Sequence, residues 1–298
     1  MPRGPRLNVA NGIYHVMARG NRKTIIFEDD RDRRRFIDIL IDALERYAVR
    51  AFLECRLGNH YHFIVQTPRA NLPDFMSYLN GGYSRYSNAR HHRIGHLFNE
   101  RYKAVLVESN FHLRIAAGYV AMNPVKHGFV RSPAEWEWSS YRAIVGLDDL
   151  PEYLCLDWLD SAFPSACRAE SRVRFAEYLQ APTLAEVEDW THRPVFGSSG
   201  FECELRQHIG ASLFMAALPR SYRALDRPPL EALFSGMMTK DERNQQMLRA
   251  HVLHAYRMSE VARALDMNPA SVSRIVAAIR RRARASIRTT AGTISTKC

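Results

Sequence analysis

No stretch of the 298 residues approaches the ~18 uninterrupted apolar residues that a membrane-crossing helix requires, and no apolar run stands behind the basic start Met1-Pro2-Arg3-Gly4-Pro5-Arg6. A soluble chain with no membrane partner is expected. Paired cysteines are also missing. Cys55, Cys155, Cys167, Cys203 and Cys298 are five, an odd number, and they are scattered without the spacing of a zinc site or a disulfide framework. Reduced thiols in a cytoplasmic, nucleoid-associated protein are the expectation. Internal repeats and low-complexity tracts are lacking. Acid is in short supply, with 31 Asp and Glu against 42 Lys and Arg, a formal charge of +11. Such a surface attracts polyanions, nucleic acid first and an anionic membrane as the lesser alternative. The length suits about two domains.

What is present divides into three parts. Gly12 to Ala18 alternates as a strand and ends in the basic loop Arg19-Gly20-Asn21-Arg22-Lys23. From Asp30 onward Phe36, Ile37, Leu40, Ile41, Leu44 and Tyr47 recur at helical spacing, with Asp32-Arg33-Arg34-Arg35 read as the solvated face. Ala51 to Leu57 is a second strand, Gly58-Asn59 a tight turn, and His60 to Val65 the strand returning from it. Leu72 to Tyr83 marks a second helix, and Ala89-Arg90-His91-His92-Arg93 reads as a solvated basic turn. Tyr102 to Val107 is a fourth strand. A third helix is expected from a cap at Asn110 to about Asn123-Pro124.

The order strand, helix, strand, strand, helix, strand, helix predicts an α+β fold: a ferredoxin-like βαββαβ domain with one helix added at its end. In that arrangement the first strand and the His60 strand are central neighbours, which brings His15 and Arg19 toward the histidines. Pro133 to Tyr141 is an aromatic segment expected to pack back on the domain, which closes at residue 147. Residues 148–225 read as a helical connector, with pieces at Ser171 to Leu179 and Leu184 to Trp190. Residues 226–298 read as an all-α helix-turn-helix region with a basic tail. There Ala262 is the close-approach position, Val272 and Ile275 fill the core, and Asn268-Pro269 starts the second helix. Asp266 stands where many such turns have glycine. Arg274, Arg280, Arg281, Arg282, Arg284 and Arg288 follow with no acid among them.

The chemistry centres on His60-Tyr61-His62. On a strand, His60 and His62 share one face and Tyr61 and Phe63 the other, so the imidazoles sit side by side. A chance His-x-His in a sheet is common, and more is required. The third helix supplies it, since His112, Ala116, Tyr119 and Asn123 form one stripe at steps of four, three and four. If that stripe faces the histidines, Asn123 offers a carbonyl oxygen as third ligand, Ala116 leaves room for substrate, and Tyr119 is the nucleophile. Two imidazoles and an amide suit Mg²⁺ or Mn²⁺, whose task would be to polarise a phosphodiester. Tyr83 and Tyr86 are rival nucleophiles, and Asn123 could equally be a helix C-cap.

Five runs carry a family resemblance: Tyr14-His15-Val16 through Arg22, Asn59 through His62, Gly95-His96-Leu97-Phe98 through Lys103, Tyr119 through Gly128, and Trp138-Ser139-Ser140-Tyr141. In order and spacing the chain resembles the HUH single-tyrosine transposases, and within them the REP-associated tyrosine transposases. The resemblance implies a nuclease that cleaves single-stranded DNA near hairpins and leaves a 5′-phosphotyrosine and a free 3′-OH. It implies that His60, His62 and Asn123 hold the metal and that Tyr119 attacks. Arg19, Asn21, Arg22, Arg101 and Lys103, with Ser271, Ser273, Arg274, Arg280 and Arg281 in the C-terminal region, are the expected DNA contacts. The expected partners are single-stranded and hairpin DNA with flanking duplex, bound by a monomer or homodimer. A non-cleaving DNA-binding regulator of transposase descent is the competing function.

Overall fold

The computed structural model describes residues 6–109, 111–180, 189–210, 227–236, 238–279 and 281. The cap expected at Asn110, and Arg280, Arg282, Arg284 and Arg288 of the basic tail, lie outside them. Two compact units are present, Arg6–Glu204 and the residues from Leu205 onward. The first is a mixed α/β unit with a five-stranded sheet.

Its elements are β1 (Gly12–Arg19), α1 (Asp30–Tyr47), β2 (Arg50–Arg56), β3 (His60–Thr67), α2 (Leu72–Arg90), β4 (Lys103–Val107), α3 (Phe111–Lys126), α4 (Tyr141–Val145), α5 (Asp157–Ala162), α6 (Arg168–Gln180) and β5 (Val195–Phe196). The sheet order is β2-β3-β1-β4-β5, antiparallel except for the β4/β5 pair. β1 and β3 are central neighbours, as the element order requires. β5 was not visible in the sequence because two residues carry no periodicity. It is held by main-chain bonds from Leu106 N to Pro194 O and from Glu108 N to Phe196 O, each 2.9 Å.

One face of the sheet carries α1 and α2 over an aromatic core. Phe36 meets Tyr61, Phe63 and Tyr83, all nearly without exposure. At the charged start of α1, Arg34 and Arg35 are exposed, as expected of a solvated face, and Arg33 is half-buried, but Asp32 is not on that face. Asp32 is fully buried, and Arg90 and His91 close on it from the end of α2, with His91 Nε2 2.9 Å from Asp32 Oδ2. Arg90 also forks onto Asp29 at 2.6 and 2.7 Å, and Arg93 reaches Glu28 at 2.6 Å. The segment read as a solvated basic turn is therefore an ion-paired clasp. Its partners lie some 60 positions away in sequence, where local charge counting does not reach.

The other face carries α3, α4, α5 and α6. The closing segment runs along β2: Arg56 N donates to Trp138 O at 2.8 Å and Ser140 N to Glu54 O at 3.0 Å. An edge strand that would otherwise expose its amides is covered. Packing continues past residue 147, since Trp158, Phe163, Phe175, Leu179 and Trp190 belong to the same core as Leu53, Ile64 and Val120. The compact unit thus continues past residue 147, and the described residues between 150 and 204 pack as part of its body. Among the described residues, no helix is long and apolar enough to cross a membrane.

The second unit contains helices Leu230–Leu233, Lys240–Val252 and Met258–Ala264 and a helix over 269–279. Met247, Ala250, Val261, Ala262, Val272 and Val276 form its core. Val276 takes the fully buried position expected for Ile275, which packs at the margin. Asp266 adopts φ +50°, the left-handed conformation for which glycine is the easier residue.

Candidate active site

The histidine face is built by register. Across the β1/β3 pair Met17 stands opposite His62 and Arg19 opposite His60, which leaves His15 diagonal to His62. The His15 and His62 rings meet with Nε2 and Nδ1 2.9 Å apart. His60 Nδ1 lies 2.6 Å from Asn59 Oδ1. The centres of the His60 and His62 rings are 5.1 Å apart.

α3 brings the remaining groups. It does not end at Asn123-Pro124 but runs to Lys126 with Pro124 inside it. Asn123 is therefore within the helix and is not a cap. Its Nδ2 donates to Tyr119 O at 2.7 Å, which commits the nitrogen to the backbone and turns the amide oxygen to other use. The Tyr119 ring meets His15 and His62 edge-on, each at 5.7 Å, and Trp190 at 5.4 Å. Lys126 Nζ is 5.1 Å from the Tyr119 ring centre, within reach of a cation–π contact.

His15, His60, His62, Tyr119 and Asn123 line one cavity of about 500 Å³, together with Arg19, Lys103, Lys126, His127, Thr191 and His192. The stripe is not wholly present there. His112 instead meets Glu108 at 3.0 Å and the Phe196 ring, and Ala116 lies fully buried in the core, so it opens no room for substrate. His127 was missed although it follows Asn123 by one helical step of four. Thr191 and His192 carry no local signal, being brought in by the strand pairing of β5.

A second cleft of about 370 Å³ shares Met17, Arg19 and Lys103 with the cavity and adds Arg22, Lys23 and Arg101. Asn21 lies beside it, bonded through its backbone to Leu97 O at 2.8 Å. In the second unit Ser273, Arg274 and Arg281 are exposed and Ser271 is half-buried; Arg280 lies outside the described residues.

The imidazoles are neutral at pH 7. Burial lowers His15 and His60 from 6.5 to about 3, helped at His60 by Arg19 and His127, and burial with the neighbouring rings and Arg19 holds His62 well below the usual imidazole range. Neutral imidazole is the form that binds a cation. Among the described residues no group of three or more His, Cys, Asp or Glu side chains is placed to hold a metal. The donor set is two imidazoles with an amide oxygen. Both histidines have Nδ1 engaged by a neighbour, which is the arrangement that directs Nε2 toward a ligand. The residues fit a divalent ion.

The same shifts predict an acid-sensitive fold. An unfolded imidazole takes up its proton near 6.5, whereas His15 and His60 resist until about 3. The unfolded state thus binds more protons through that window, and stability falls as pH drops through it. Thermal melts of metal-free protein from neutral to acid pH are expected to show this, with a shallower dependence in His62→Phe. A melting temperature independent of pH across the window would contradict the burial of neutral rings.

A mixed α/β unit thus presents paired imidazoles, an amide and a tyrosine to one basic cavity. Residues 8–123 match the model of the family described as "Transposase IS200 like". The chain is 26% identical over 125 residues to a Haemophilus influenzae protein described as a REP-associated tyrosine transposase, which covers 38% of this chain and 69% of that one. Among solved structures it is similar to a REP-associated tyrosine transposase bound to a REP hairpin, with TM-score 0.44, 16% identity, and coverage of 53% of this chain and 91% of that one. It is also similar to a Deinococcus radiodurans protein described as a transposase, with TM-score 0.29, 21% identity, and coverage of 36% and 85%.

Proposed function

We propose that the protein is a metal-dependent single-stranded DNA endonuclease and strand transferase that acts at hairpin or palindromic DNA through a covalent 5′-phosphotyrosine. The observation that carries this reading is the convergence of His60, His62, Asn123 and Tyr119 on one cavity. It agrees with the HUH single-tyrosine family and with a ferredoxin-like reading of β1 to β4.

His60, His62 and Asn123 would hold Mg²⁺ or Mn²⁺, which when bound supplies neutralisation of charge on the phosphodiester oxygens. Tyr119 Oη attacks phosphorus and loses its proton; the P–O3′ bond breaks, and the departing oxygen gains a proton to become the 3′-OH. A free phenol is a weak nucleophile with a pKa of ~10, so the attack draws on the cations that line the cavity, Arg19, Lys103 and Lys126. The bond energy is kept in the phosphotyrosine, so a 3′-OH of another end can reverse the step without ATP.

The strand reaches the cavity over the cleft shared through Arg19 and Lys103. Arg19 Nε is buried without a protein partner, as a donor for phosphate would be. In the second unit, helix Met258–Ala264, the turn at Asp266 and the helix over 269–279 support a helix-turn-helix reading. Asn268 Oδ1 accepts from Ala270 N at 2.8 Å as the cap of the second helix. That region would hold flanking duplex.

The test is incubation with a labelled hairpin-bearing strand and Mg²⁺ or Mn²⁺. A denaturation-resistant protein–DNA adduct is expected. Hairpin binding without an adduct would sink the enzyme reading in favour of a non-cleaving regulator. For the cleft, Lys103→Gln and Arg101→Gln are each expected to weaken binding to single strands of any sequence and to reduce the salt slope by about 0.7 per charge. A weakening confined to one sequence would place base recognition there instead.

A further inference from the structure

We propose that His15 is a positioning residue: it accepts the Nδ1–H of His62 and thereby leaves the His62 Nε2 lone pair for the cavity. This rests on the metal-site reading above and starts from two buried rings. His15 Nε2 and His62 Nδ1 are 2.9 Å apart, the ring centres 5.1 Å, and the planes within 4°. A contact of 2.9 Å is shorter than any face-to-face stack of rings. Parallel rings at that distance lie side by side in nearly one plane, with the N–H of one along the lone pair of the other.

One hydrogen lies between the two nitrogens, and its owner decides what the site can do. If His15 Nε2 carries it, His62 Nδ1 is the acceptor, and neutral His62 must carry its own hydrogen on Nε2, which closes that atom to a cation. If His62 Nδ1 carries it, Nε2 is a lone pair. His60 shows the same device one step along the strand, since its Nδ1 faces an acceptor, Asn59 Oδ1, at 2.6 Å. The two strand histidines are then matched, each with Nδ1 bonded away and Nε2 available. Trp190 and Tyr119 hold the plane of the His15 ring, at 5.1 Å and 63° and at 5.7 Å and 80°. His15 is 3% exposed and Trp190 likewise, so water does not replace this bond.

Two measurements test it. Long-range ¹H–¹⁵N spectra of the metal-free full chain at neutral pH are expected to show His62 as the Nδ1–H tautomer. The Nε2–H tautomer would overturn the proposal, and no variant is needed to see it. Titration with Co²⁺, followed by its absorption bands, is expected to show affinity about 10–100-fold weaker in His15→Phe, which keeps a ring but offers no acceptor. His15→Gln, with an amide oxygen, is expected to recover part of the loss. Equal Co²⁺ affinity in wild type and His15→Phe would overturn it. Wild type that forms no DNA adduct yet shows this tautomer and this loss would sink the strand-transfer reading alone. Adduct formation with the opposite tautomer would sink this one alone.

Discussion

Tyr119→Phe is expected to abolish the covalent protein–DNA adduct while leaving the fold and hairpin binding in place. The substitution removes one oxygen and keeps the ring, so the edge contacts with His15, His62 and Trp190 persist. The loss to stability is that of one hydrogen-bonding group, about 1 kcal/mol. The loss to chemistry is complete, because no other atom of the side chain can form an ester with phosphorus. Gel analysis after denaturation reads the adduct, and binding of the labelled hairpin reads the site. An adduct from Tyr119→Phe would assign the nucleophile elsewhere. Tyr83 is then the poorer rival: it is fully buried among α1 and α2, its hydroxyl donates to Ile26 O at 2.5 Å, and burial raises its pKa far above the usual phenol range.

The parts of this site that the sequence discloses are those set by local periodicity. His60 and His62 share a face because strand side chains alternate, and Tyr119 and Asn123 share a stripe because a helix repeats about every four residues. The chain order alone placed β1 beside β3, hence His15 and Arg19 beside the pair. What failed depended on rotation or distance. Ala116 and His112 are on the predicted stripe but pack in the core and against Glu108, since the stripe spans about three turns, roughly 16 Å along the helix axis, and only its Tyr119–Asn123 end reaches the cavity. The Asp32–Arg90–His91 clasp pairs residues 58 and 59 apart, so each half read alone resembles a solvated face. Thr191 and His192 reach the cavity through two residues of strand, too few to show a pattern.

The same point predicts a large effect far from any motif. Phe175, on α6, is fully buried, with the rings of Tyr141, Trp158 and Phe163 at 5.7, 5.5 and 5.3 Å. Phe175→Ala is expected to destabilise the first unit by about 3–5 kcal/mol, the cost of a large core truncation with its cavity. For a unit of this size, that lowers the melting temperature by roughly 10 °C. The position lies beyond residues 8–123, the part that matches the transposase family. A tether attached to a finished nuclease would tolerate the change. A body that shares one core would not, because α6 packs on α4 and α5, and the same core continues through Trp190 to the Tyr119 ring. Calorimetry of wild type and Phe175→Ala decides between the two. An unchanged first transition would mean that the sheet and α3 are stable alone and that residues 150–204 only decorate them. The expected loss would mean that the Tyr119 helix is braced by a segment the family pattern does not include.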